Sequence, residues 1–368
     1  MRIVRIDNYR DFLDLRETWN DTLERCSDNN IFSTWEWLTL WWKHFGEGRQ
    51  LMILLAENGS KTVGIAPIMC SAYRLFGIWI RKIEFIGSGA SDYCSFILAE
   101  KHDECMRLFS QYVSRLPEEW DYVELTDVSE KAGWLGALKA MSGSTKLAQR
   151  AYLHECSYIP ISVSQQEYLD SLSTRQKKNL RRNARNLEKD FTVEYLDSSK
   201  TTSFGQEMNF FFDLHQKRWT AKRFSGIFSS QQARDFHVDV ARSFSQQGWL
   251  GLFFLKLSGI PAAVLYGFRY NSKFYYYLSG YHPRFSRYGV GSLLTQHVVN
   301  VCIKEGLKEF DFLRGSEDYK NRWNTSSRWN LQLVLTRKGF LPLLRTKWYV
   351  NWWLFANKIK YFSRNLLK

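Results

Sequence analysis

Two stretches of this chain carry the same strand–turn–strand pattern, and that pattern limits the folds open to it. Residues 53–68, ILLAENGSKTVGIAPI, place an apolar run, Asn58-Gly59 and a second apolar run in succession. Residues 252–268, LFFLKLSGIPAAVLYGF, do the same around Ser258-Gly259, and residues 272–281, SKFYYYLSGY, add a third run alternating in aromatics. A tight turn between apolar runs predicts a β-hairpin, because its central residues must tolerate positive φ. Leu252 stands 199 positions after Ile53, a spacing far beyond the repeat of a solenoid. The expectation is therefore two related α/β domains, and 368 residues exceed what one hydrophobic core normally accommodates.

Around the hairpins the periodicity turns helical. Residues 8–26 place Phe12, Leu15, Trp19 and Leu23 at three-to-four spacing, and TWEWLTLWWKHF at 34–45 continues with a dense aromatic face. A strand in HECSYIPISV, residues 154–163, opens the second half, so the expected domains are 1–150 and 151–340, followed by a basic aromatic helix over 341–368. Ser164 with Glu167, and Ser173 with Gln176, have the spacing of capping boxes at two helix starts. The second of these helices carries Arg175, Lys177, Lys178, Arg181, Arg182, Arg185 and Lys189. Two readings stand side by side there: a solvated face, or a contact to phosphate or another acidic partner.

The formal charge of +14 points to an anionic partner without naming one. No acidic residue follows Asp318, so the excess concentrates in the last stretch. There, residues 344–368 mix Trp348, Tyr349, Trp352, Trp353 and Phe355 with lysine and arginine. Such a segment suits either an anionic membrane surface, contacted through 345–368, or a last helix packed on the second domain. The cysteines Cys26, Cys70, Cys94, Cys105, Cys156 and Cys302 form no CxxC pair, so neither a disulfide framework nor a zinc site is expected, and no metal is assigned. Charges at Arg5, Asp7, Arg10 and Asp11 stand where a signal peptide needs an apolar core. With no run of roughly 18 apolar residues either, the expected location is the cytoplasm, with peripheral placement at the inner membrane face as an option. No Gly-x-Ser-x-Gly elbow, Walker loop or HExxH occurs, which argues against hydrolase, NTPase and zinc-protease chemistry.

Residues 281–306, YHPRFSRYGVGSLLTQHVVNVCIKEG, follow the aromatic strand directly. Leu293, Leu294, Val298, Val301 and Cys302 mark a helix, and Gly289, Gly291 and Ser292 stand at its start. Unpaired N–H groups and the helix dipole favour a phosphate there, with Arg284 and Arg287 beside it. A strand, EFDFL, comes next.

Hairpin, aromatic strand, basic glycine turn, helix and short strand follow one another as in acyl-CoA N-acyltransferases of the GNAT fold. FSTWEWLTLWW, IAPI, FIGSGASDY, RQKKNLRR, DLHQKRW and FDFLRGSEDYKNRW stand in the order found in the CelD-like branch of that superfamily. The chain thus resembles, up to about residue 335, a tandem GNAT-like pair related to the Fem peptidyltransferases. The resemblance implies an α/β (α+β) fold with a degenerate, acceptor-side first domain, Asp92 and Tyr93 included, and an acyl-CoA site in the second. Gly289, Gly291, Ser292, Arg284 and Arg287 would hold the CoA pyrophosphate, and the segment Tyr277 to Gly280, with Leu278 and Ser279, would flank the pantetheine. The pattern is departed from at Ser286, where Gln or Arg is usual.

Acyl transfer needs an acceptor deprotonated, an oxyanion stabilised and a leaving group protonated. In residues 309–324, Asp311 and Glu317 are candidate bases, Arg314 and Lys320 candidate charge stabilisers, and Tyr319 a candidate acid for the departing thiolate. A lysine in a similar place serves catalysis in the Fem enzymes, which raises Lys320. The alternative is an ion network, with Asp311 or Glu317 paired to Arg314. His215 is either a base lining the cleft or a core histidine on an aromatic face. The implied activity is acyl transfer from acyl-CoA, acetyl-CoA foremost, to an amine or hydroxyl of a sugar or envelope-polysaccharide precursor. Fem-like aminoacyl transfer from charged tRNA is one rival, and a non-catalytic anion- or membrane-binding protein the other.

Overall fold

The computed structural model describes residues 1–75, 77–116, 120–141, 145–161, 164–200, 204–220, 226–337 and 342–349. In chain order the elements are β1 (Arg2–Ile6), α1 (Tyr9–Asp14), α2 (Arg16–Glu24), α3 (Trp35–Phe45), β2 (Arg49–Asn58), β3 (Lys61–Leu75), β4 (Ile78–Phe85), β5 (Ile97–Leu98), α4 (His102–Ser114), β6 (Tyr122–Ser129) and β7 (Thr145–Pro160). They continue with α5 (Gln165–Ser171), α6 (Thr174–Asp190), β8 (Val193–Asp197), α7 (Phe204–Thr220), α8 (Gln231–Gln246), β9 (Leu250–Leu257), β10 (Ile260–Tyr270), β11 (Lys273–Tyr281), α9 (Val290–Lys304), β12 (Glu309–Arg314) and β13 (Ser326–Arg337). Two compact units result. One is Met1–His154 with the described residues from Trp329 on, the other Glu155–Arg328.

In the first unit the sheet runs β1-β2-β3-β4-β6-β13, with β5 on β3. The turn at Asn58-Gly59 closes β2 onto β3 in the register Asn58–Lys61, as the sequence pattern predicts. One helix was expected over 8–26, and two are found. Leu15 leaves the helical ladder, its N–H closing onto the Phe12 carbonyl, and this lets Phe12 and Trp19 meet in one core with ring centroids 5.3 Å apart. Four fully buried tryptophans there each find an acceptor for the indole N–H. Trp19 donates to the Ser33 carbonyl at 2.9 Å, Trp37 to Ser91 Oγ at 2.9 Å, Trp120 to the Val113 carbonyl at 2.9 Å and Trp134 to Ser95 Oγ at 2.8 Å. Large rings are thereby buried without orphaned donors. Asp92 and Tyr93, expected on an acceptor side, are both buried in this unit, where the Asp92 carbonyl accepts from Asn330 Nδ2 at 2.6 Å.

The second unit's sheet runs β7-β12-β11-β10-β9-β8. Its two hairpins turn at Ser258-Gly259, with φ 48° and 81°, and at Asn271-Ser272, with φ 48° and 60°. Positive φ at both central positions matches the right-handed strand twist. Strand alternation divides the side chains between two faces. Phe253, Leu255, Leu265, Phe274 and Phe310 pack with α5, α6 and α9, whereas Tyr266 and Phe268 meet α7 and α8 through Phe211 at 4.9 Å and Phe244 at 5.0 Å. The Ser164–Glu167 capping box forms reciprocally at the start of α5. Gly280 is obligatory, because a Cβ there would lie 2.3 Å from the His215 backbone nitrogen, so only glycine lets α7 rest on β11.

His215 lies in the α7 face, 1% exposed, with its Nε2 accepting from Trp219 Nε1 at 2.9 Å and Phe228 at 4.7 Å. It is a core histidine and not a cleft base. Burial, reinforced by Arg218, lowers its pKa to about 4. The unfolded chain therefore binds a proton near the ordinary value of about 6.5 that the folded chain refuses until about pH 4. Stability contributed by the neutral imidazole is full above that window and is lost as pH falls through it, by up to about 3 kcal/mol. Chemical denaturation at pH 7 and pH 5 checks this: His215→Gln should flatten the difference, and an unchanged difference would contradict the assignment.

Candidate functional site

β11 and β12 run parallel but pair at only three positions, Lys273–Glu309, Phe274–Phe310 and Tyr275–Asp311. Beyond them Tyr276–Tyr281 has no strand on that side among the described residues, although its other edge stays paired with β10. Side chains enforce the divergence. Asp311, with no exposed surface, accepts the Leu313 N–H at 2.8 Å. Leu313 takes φ 58° and Gly315 φ 122°, a conformation that for leucine costs about 1 kcal/mol or more. Arg328 neutralises Asp311 directly, donates to Glu309 at 2.7 and 3.2 Å, and lies 4.5 Å over the Tyr158 ring. Burial pushes the Glu309 carboxyl up, but Arg328 and Lys273 outweigh it and hold it below its ordinary value.

Lys320 completes the bend. Its Nζ, on a side chain only 3% exposed, donates to the carbonyls of Leu313, Arg314 and Gly315 at 3.1, 3.0 and 3.0 Å and pairs with Glu317 at 3.0 Å. A lysine has three N–H donors, and four acceptors surround this one. The geometry makes Lys320 a positioning residue that holds the 313–315 turn, not an open charge stabiliser. Glu317 pairs with Lys320, and its side chain remains 56% exposed. Asp311 likewise supports the bend and presents no open base.

Tyr319 lies at the mouth of the diverging strands, its ring 6.2 Å from Phe312. Burial above all, then the neighbouring Tyr276 and Glu317, hold its phenol well above the ordinary value, against an opposing effect of Arg218. The hydroxyl is thus a proton-bearing group at neutral pH, hydrogen-bonded to Tyr276. From α7, Arg218 reaches the same region and donates to the Ser279 carbonyl at 3.1 Å and Ser279 Oγ at 2.7 Å. Ser279 is therefore committed to Arg218, while Leu278 stays half-buried on the open strand.

β11 leads through a 3-10 turn, Pro283–Tyr288, into α9. Gly289 takes φ 64°, and Asn183 of α6 lies 2.3 Å from where its Cβ would stand, so α6 packs over the turn. Among the described residues, the Val290 and Gly291 N–H groups have no acceptor, Gly291 is exposed, and its missing Cβ faces open space. Ser292 donates to the Gly289 carbonyl at 2.9 Å. The two expected arginines differ. Arg284 is exposed, 5.4 Å over Phe285, whereas Arg287 donates to Tyr288 Oη at 2.6 Å, and Tyr288 in turn donates to Asp190 at 2.6 Å. Arg287 is drawn toward α6 and away from the helix start.

The arrangement joins an unpaired strand edge, a protonated phenol and an anion-favouring helix start within one unit. Tyr276, Arg218 and Arg328 complete it, and sequence reasoning gave none of them a role in the site. Tyr276 reads as one of three consecutive tyrosines, and Arg328 stands 17 positions from the carboxylate it neutralises.

Residues 174–321 match the family described as an acetyltransferase (GNAT) domain. In structure the chain is similar to FemX, with a TM-score of 0.62 at 11% identity over 90% of this chain and 97% of FemX. It is similar also to a conserved protein of unknown function from Bacteroides thetaiotaomicron VPI-5482, with a TM-score of 0.59 at 10% identity over 91% of this chain and 100% of that one. A third similarity is to the C-terminal domain of a putative lysylphosphatidylglycerol synthetase from Agrobacterium fabrum, with a TM-score of 0.50 at 11% identity over 89% of this chain and 92% of that one. No curated protein matches in sequence. The fold is mixed α/β, and residues 174–321 contain the site apart from Arg328; the CelD-like branch has no counterpart among these matches.

The ion network makes a direct prediction. Arg328→Ala leaves Asp311 buried without its partner and should lower stability by about 3–5 kcal/mol. Thermal unfolding measures it, and a loss below about 1 kcal/mol, the range of a surface pair, would contradict the geometry.

Proposed function

We propose that this chain is a GNAT-type transferase moving an acyl group from acyl-CoA to an amine or hydroxyl of a sugar or envelope-polysaccharide precursor. The supporting observation is the unpaired edge of β11 running toward the unpaired N–H groups of Val290 and Gly291. An extended, amide-bearing donor arm adds to such an edge as a strand would, and a diphosphate suits the helix start. Gly289, Gly291, Ser292 and Arg284 would receive the diphosphate. The CelD-like resemblance supports the acceptor class.

In the transfer, the acceptor's nitrogen or oxygen bonds to the acyl carbon, the carbon–sulfur bond breaks, and the sulfur needs a proton. Tyr319 is the group placed to supply it, because its phenol stays protonated. The acceptor's own proton goes to Glu317, the one candidate carboxylate with substantial exposure. Lys320 and Asp311 keep the strands apart while this happens.

A second reading, aminoacyl transfer from charged tRNA, draws on one observation. Arg175, Lys178, Arg181, Arg182 and Arg185 are exposed on α6 and form no ion pair among the described residues. RNA binding that weakens steeply with salt would favour it.

Calorimetric titration with acetyl-CoA tests the first reading. Wild type should bind and Gly291→Glu should not, while Tyr319→Phe should bind normally and lose about 100-fold or more in turnover. Failure of wild type to bind acetyl-CoA or longer acyl-CoAs would overturn it, as would full turnover in Tyr319→Phe.

A further inference from the structure

The described residues 342–349 form a helix whose two faces differ in kind. One is latched to the first unit. Arg345 Nη1 donates to Asp121 Oδ1 at 2.6 Å, Thr346 Oγ1 to Thr336 Oγ1 at 3.0 Å, and Tyr349 to Glu124, with the Tyr349 ring stacked 4.8 Å from Tyr122. The other face is exposed. Leu343 and Leu344 are 36% and 38% exposed, Trp348 is 49% exposed, and Lys347 stands among them. Positions 343, 344, 347 and 348 share one side of a helix. Asp121 also accepts the Arg81 N–H at 2.9 Å, tying to the same carboxylate the start of β4, where Ile78 and Trp79 are 42% and 57% exposed and Arg81 is exposed too.

Apolar side chains held outward by this latch have an occupant. The geometry points to an anionic lipid surface, met by Leu343, Leu344, Lys347 and Trp348. Charge complementarity selects it: no acidic residue follows Asp318, while Arg337, Lys338, Arg345, Lys347, Lys358, Lys360, Arg364 and Lys368 are all basic. A tryptophan at the headgroup level, leucines below it and lysine at the rim is the composition of an interfacial helix, and each basic residue near an anionic leaflet adds to the attraction. No helix among the described residues is long and apolar enough to cross a membrane, so the contact is peripheral. It is independent of the acyl-transfer reading, because it uses none of that site's residues.

Flotation of the full chain with vesicles tests it, using phosphatidylcholine alone and phosphatidylcholine mixed equally with phosphatidylglycerol. Wild type should float with the anionic vesicles and not with the neutral ones. Leu344→Glu with Trp348→Glu should reduce partitioning about ten-fold. Both side chains point away from the latch, so the thermal midpoint should hold. Should the double variant fail to fold, Lys347→Glu reads the same surface and should weaken binding several-fold. Absence of binding to anionic vesicles, unchanged binding in these variants, or a wild-type dimer that the variants lose while vesicles go unbound would each overturn the proposal.

Discussion

Asp311 sits with no exposed surface at the last position where β12 pairs with β11, so its charge must be met from inside the fold. Arg328 meets it, and the second carboxylate oxygen holds the Leu313 N–H. From that arrangement the rest of the site follows. Leucine at positive φ turns β12 away, three carbonyls in sequence point at Lys320, and the ammonium fixes them. Without the ion pair the carboxylate would be an uncompensated buried charge. Without the lysine, three carbonyls would lose their donor. The open edge of β11 is thus a stressed but over-determined feature, the condition under which strain persists at functional sites.

Partnered burial of polar groups recurs in the first unit in another form. Trp19, Trp37, Trp120 and Trp134 are buried with their indole N–H groups satisfied, and Glu124 is shared among Lys82, Gln332 and Tyr349. Tyr122 responds to these surroundings, since burial first and Glu124 second push its phenol far above the ordinary range. Polar groups here secure packing, and in the second unit they hold apart strands that would otherwise zip together.

Local signals were legible in the sequence and long-range partners were not. The hairpins at Asn58-Gly59 and Ser258-Gly259, the Ser164–Glu167 cap and the buried stripe of α9 depend on residues a few positions apart, and they form as the spacing predicts except that Val301 of the stripe is only half-buried. The order of strand, glycine turn and helix likewise placed the helix start of the site. What the spacing hid was pairing across the fold. The Lys320 partner of Glu317 was not foreseen, the alternative ion network having offered Asp311 or Glu317 to Arg314. Asp311 depends on Arg328, which lies beyond the cluster that drew attention. His215 has the residue type of a base, but a lowered pKa arises only from a burial that no local pattern reveals. The helix over 341–368, read as meeting either an anionic membrane surface or the second domain, lies in large part outside the described residues, and its described portion belongs to the first unit.

Hydrogen–deuterium exchange with and without acetyl-CoA tests the central claim most directly, because it reads the backbone amides that the open edge leaves unpaired. Protection should appear in Tyr276–Tyr281 and Gly289–Ser292 together and leave β9 and β10 unchanged. Protection confined to the rest of the chain, or none at all at saturating acetyl-CoA, would contradict the assignment of the diverging strands as the donor site.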